Sequence, residues 1–74
     1  MSIKYVLLPD GSPILFPEHI VHSVFRKLNP ISAGYVSWEN DNRVVVNGES
    51  SSLQLVSKGE DAIFISKLLE KLVL

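Results

Sequence analysis

The chain has 74 residues, 46% of them hydrophobic, a formal net charge of −1 and no cysteine. That composition excludes disulfides, thiolate metal centres and cysteine nucleophiles, and it is too apolar for a disordered chain. The near-neutral charge provides no overall basic field to attract nucleic acid or anionic lipid.

Ser2 to Leu8 is rich in β-formers and reads as a strand. Pro9-Asp10-Gly11-Ser12 follows as a turn: proline presets φ, aspartate bonds locally and glycine accepts φ > 0. Pro13 to Phe16 returns as a second strand, so the first sixteen residues form a β-hairpin. The stretch Ile3–Leu8 is short, carries Lys4 and stops at a turn, so it is not expected to act as a secretory leader.

From Pro17 to Leu28 the period changes. At roughly 100° per residue Ile20, Val21, Val24, Phe25 and Leu28 share one face, and Glu18, His19, His22, Ser23, Arg26 and Lys27 share the other. The expectation is an amphipathic helix started by Pro17 and ended by Asn29-Pro30. Ile31 to Trp38 is a strand in which Gly34 marks a bulge or a close contact. Glu39 to Asn42 is a polar loop and Arg43 to Val46 a strand. Asn47-Gly48 is a type I′ hairpin signal. Its register would set Val46 opposite Glu49 and Val44 opposite Ser51, with Val44, Val46, Leu53 and Leu55 on the core face and Arg43, Val45, Ser50, Ser52 and Gln54 outside. Ser57-Lys58-Gly59-Glu60 has the form of a capping box, opening a helix from about Lys58 to Val73. The order β-β-α-β-β-β-α gives a single α+β domain over 1–74: an antiparallel sheet built from two hairpin-containing segments, with both helices packed on one face.

No motif in the chain carries catalysis. Ser50, Ser51 and Ser52 lack the glycines of a nucleophile elbow. The acidic loops lack calcium-loop spacing, and the four glycines lack phosphate-loop spacing. His19 and His22 lie three apart, but the chain offers no third histidine or cysteine to complete a zinc site, so neither a metal nor a cofactor is expected. Tyr5, Tyr35 and Trp38 could stack bases, yet no basic residues interleave with them. His19, His22, Arg26 and Lys27 make the single basic-leaning patch, a candidate anion or nucleic-acid contact that the acidic balance argues against. The C-terminal helix carries an apolar arc wider than one core-facing stripe needs. A small core and surplus apolar surface together suggest a non-enzymatic protein–protein interaction or assembly module. It would be cytoplasmic and not membrane-bound, with a dimer of the chain or another protein as its partner. The interface would lie on one edge of the last helix, at Ala62, Ile63, Phe64 and Val73.

Overall fold

The first hairpin closes through local bonds. Leu8 N–H donates to Ser12 O and Gly11 N–H to Leu8 O, each at 2.9 Å, and Asp10 Oδ1 accepts from Ser12 N–H at 2.9 Å. This turn brings β1 (Ile3–Leu7) back as β2 (Pro13–Pro17), with Leu7 opposite Pro13 and Ile3 opposite Pro17. These features come from a computed structural model, which describes residues 2–39 and 43–73; most of the expected polar loop, at 40–42, and the Val73 side chain lie outside the described set. β3 (Ser32–Trp38) pairs with β1, and β4 (Val44–Asn47) with β3, all antiparallel, giving the order β2-β1-β3-β4. A small second sheet joins β5 (Glu49–Ser50) to β6 (Leu55–Val56), and helix α1 (Asp61–Val73) ends the fold. The α+β class agrees with the sequence and the element order roughly so, with six strands where five are expected.

The placement of the helices does not. Tyr5, Leu7 and Val36 pack under Ile65 of α1, with Val44, Val46 and Leu69 around them. Val6, Phe16 and Ala33 pack on the opposite side of the sheet, with Phe25, Leu53 and Leu55. The two helices therefore cover opposite faces, and the sheet is the middle of three layers. The physical reason is visible in β1. Side chains alternate along a strand, so the unbroken apolar run Tyr5-Val6-Leu7 must be buried on both sides.

The segment before β3 is a 3-10 helix, His22–Leu28, and Pro17 belongs to β2. With three residues per turn, positions i and i+3 eclipse. His22 and Phe25 therefore point inward together, both against Phe16. His22 is 4% exposed and Val24 63% exposed, the reverse of the α-helical expectation.

Asn47-Gly48 does not form the type I′ hairpin. Asn47 stays extended opposite Tyr35, and only Gly48, at φ 78°, turns the chain away. Pairing with the established strand β3 outweighs the local turn preference. The hairpin forms later, with Ser50 opposite Leu55 across a four-residue turn in which Gln54 takes φ 57°. Val44 and Val46 consequently face α1 while Leu53 and Leu55 line the other layer. Ser50, expected outside, is buried and accepts from Leu53 N–H at 3.3 Å.

α1 begins at Asp61, three residues later than the capping box predicts, and Ser57 does not cap it. Lys58 N–H donates to Asp61 Oδ2 at 3.1 Å, whereas Ser57 Oγ donates to Gly48 O at 2.8 Å and ties the helix approach to the β4–β5 junction. Gly34 meets that junction in close contact, as expected: a Cβ there would lie 2.6 Å from Asn47 O and 2.8 Å from Ser57 Cβ.

Candidate functional site: the open edge of β4

Among the described residues the sheet has two free edges, and they differ in chemistry. Leu8 N–H bonds Ser12 O. By the alternation of an antiparallel ladder, Pro13, Leu15 and Pro17 then turn their backbones outward on β2. Two of those three positions are proline and have no N–H to offer. Proline on an edge is a common block against strand addition.

The β4 edge has no such block. Glu39 N–H donates to Arg43 O at 2.9 Å. Arg43, Val45 and Asn47 therefore bond inward to β3, and Val44 and Val46 direct their N–H and C=O groups outward. The strand reads Val-Val-Val-Asn, without proline, lysine or a bulge. Beside it runs a groove of about 1140 Å³ between β4 and α1, with Trp38 and Arg43 at one end and Gly59 and Ala62 at the other. Ile63, Ser66 and Glu70 form its helical wall, and Ile63 is 57% exposed. An unpaired backbone edge beside an apolar trough has the geometry that takes up an extended segment by strand addition.

The residues expected at an interface divide between two places. Ala62 and Ile63 line this groove, while Phe64, one residue and about 100° further round the helix, leans over Gly11 of the first hairpin. One shared edge for Ala62, Ile63 and Phe64 is thus corrected by the helical geometry. Nothing in sequence periodicity marks β4 as an edge, because strand order is set by long-range pairing.

The basic-leaning patch also divides. His19, Arg26 and Lys27 are exposed, but His22 is buried, with Nε2 3.0 Å from Gly34 O. Arg26 Nη2 donates to the Ser52 carbonyl at 2.8 Å. The four residues thus share no exposed surface. Among the described residues no group of three His, Asp or Glu side chains is placed to hold a metal ion. Among the same residues no helix is long and apolar enough to cross a membrane.

One buried polar cluster is absent from the sequence reading. On the 3-10 helix side, Lys4 Nζ donates to Ile20 O at 2.8 Å and lies 6.0 Å from the centre of the Tyr35 ring, which His22 meets edge-on. Lys4 interrupts an otherwise apolar strand, and that is the one trace of this cluster in the sequence. Burial holds the His22 imidazole below its ordinary pKa, and the nearby Lys4 ammonium adds to the effect. The unfolded chain then binds the His22 proton more readily than the native one. Stability from this group is complete above pH 6.5 and is lost as pH falls below that value. The urea midpoint should therefore be lower at pH 5 than at pH 8, and His22→Gln should shrink the difference. An equal drop in both proteins would show that other groups cause it.

No family model, curated protein or solved structure matches the chain.

Proposed function

We propose that the protein is a non-enzymatic binding module that takes up an extended polypeptide strand along β4, with the strand's side chains seated in the groove beneath α1. The observation that carries this reading is the contrast between the sheet's two edges: β2 is blocked by Pro13 and Pro17, and β4 offers the backbones of Val44 and Val46 beside exposed apolar side chains. Main-chain bonds would provide affinity, and the apolar groove would select the side chains of alternate residues. An exposed hydrophobic trough of this kind is itself a mark of an interaction site.

The reading is tested with a blocked peptide, Lys-Val-Thr-Val-Thr-Val-Lys, added to isotope-labelled protein. Saturable shifts of the Val44, Val46 and Ser66 amides are expected. Ile63→Glu should weaken them about tenfold, equivalent to roughly 1.4 kcal/mol from lost apolar contact. Since Ile63 is largely exposed, circular dichroism of this variant should match the parent. Shifts confined to the 3-10 helix, or no shifts in protein that has the mass of one chain, would overturn the proposal.

A further inference from the structure

We infer that the strand taken up along β4 is the β4 of a second copy of this chain, joined about a two-fold axis into one continuous eight-stranded sheet; this rests on the β4 edge being the binding site. The register follows from which backbone groups face out. With Val44 opposite Val46 of the second copy and Val46 opposite its Val44, every outward N–H and C=O of both residues finds a partner, giving four hydrogen bonds. Val45 then meets Val45 of the second copy at the axis, as a pair without hydrogen bonds. A shift of one residue would set inward-bonded groups at the seam.

Three further observations favour a second copy. The other free edge cannot serve as the mate, because Pro13 and Pro17 block β2, so an open β4-to-β2 fibre is disfavoured and the self-paired edge closes. Charge allows the arrangement as well. Arg43 and Glu70 are the charged residues lining the groove. Arg43 precedes β4, so an antiparallel mate sets it toward the Gly48 end of the other strand and keeps the two Arg43 side chains apart. The surface area points the same way. The chain exposes 5020 Å² at 8.2 kDa, against roughly 4500 Å² for a compact monomer of that mass. Pairing that surplus from two copies gives about 1000 Å², near the lower bound for a specific interface. The helices would come together along Ile63, Ser66 and Glu70, with the small Ser66 permitting close approach.

The chain has no cysteine, so one introduced thiol reports the axis without background. Facing residues in a pair without hydrogen bonds have Cα atoms about 4.5 Å apart, within disulfide reach. Sedimentation equilibrium of the unmodified protein should give the mass of two chains within about 1–200 µM, the range suited to an interface of this size. Under mild oxidation Val45→Cys should cross-link several-fold more than the exposed control Val56→Cys. A one-chain mass throughout that range would overturn the second copy. So would a dimer in which Val56→Cys cross-links as well as Val45→Cys. A one-chain mass with the peptide shifts at Val44 and Val46 retained removes the second copy and keeps the groove. A one-chain mass without those shifts removes both.

Discussion

Gly34→Ala is expected to be the most damaging small substitution in the chain. The new Cβ would sit 2.6 Å from Asn47 O, 2.8 Å from Ser57 Cβ and 3.4 Å from Gly48 O. Two of these three atoms are backbone, and the third belongs to a short side chain held by its bond to Gly48 O. None can swing aside as the tip of a long side chain would. The substitution must push the β4–β5 junction away from β3. Overpacking of this kind costs about 1–3 kcal/mol, and the rigid neighbours place Gly34→Ala at or above the top of that range. For 74 residues, total stability is on the order of 4–11 kcal/mol, so the loss is a large share of it. A urea titration should show a much lower midpoint with little change in slope. The β4 edge should move as well, so dimer mass and peptide shifts should weaken in the fraction that stays folded. A cost under about 0.5 kcal/mol, the level of an ordinary surface change, would mean that the junction yields more easily than its contacts imply.

The second large effect centres on Asp61. Its carboxylate is buried and accepts from the Tyr5 hydroxyl at 2.5 Å and from Lys58 N–H at 3.1 Å. One side chain thereby caps the helix and fastens it to the central strand. Asp61→Ala removes both bonds and leaves the buried Tyr5 hydroxyl without that acceptor. Loss of a charged partner and of a cap together should cost about 3 kcal/mol. Tyr5→Phe keeps the ring and the Lys58 bond and should cost about 1–2 kcal/mol. The double variant should cost less than the two single losses added, with a coupling of at least 0.5 kcal/mol as expected for groups in direct contact. Additivity would show that the contact contributes nothing. Alkaline pH gives an independent check. Burial, with Asp61 beside it, pushes the Tyr5 phenol well above its ordinary value of 10.0. The native state holds this proton where the unfolded chain releases it, so Tyr5 contributes stability below pH 10 that declines as pH rises beyond it. Tyr5→Phe should remove that part of the alkaline loss.

Several local signals match the structure where the determining contacts are also local, although the capping box at Ser57 does not. Pro9-Asp10-Gly11-Ser12 closes its hairpin by bonds within five residues. The apolar run at Ile31–Trp38 is a strand, Gly34 is a close contact, and the last helix lies within its predicted range. The failures share one cause. A 100° period for Pro17–Leu28 assumes an α-helix, yet the contacts of His22 and Phe25 with Phe16 belong to a tighter turn. Asn47-Gly48 favours a hairpin in isolation, but Asn47 gains a partner in β3, distant in sequence.

Composition and short-range pattern by themselves determined the class, the rough element order and the absence of disulfide chemistry. Only the tertiary structure decided which strands became edges, and with them where a partner can bind. Edge status depends on which strand lies next to which, a matter of pairing between residues far apart in the chain. The same valines at 44–46 would form an ordinary buried strand if one more neighbour lay beyond them. The fold ends the sheet there, beneath α1, and that arrangement leaves the backbones of Val44 and Val46 facing outward beside an apolar groove.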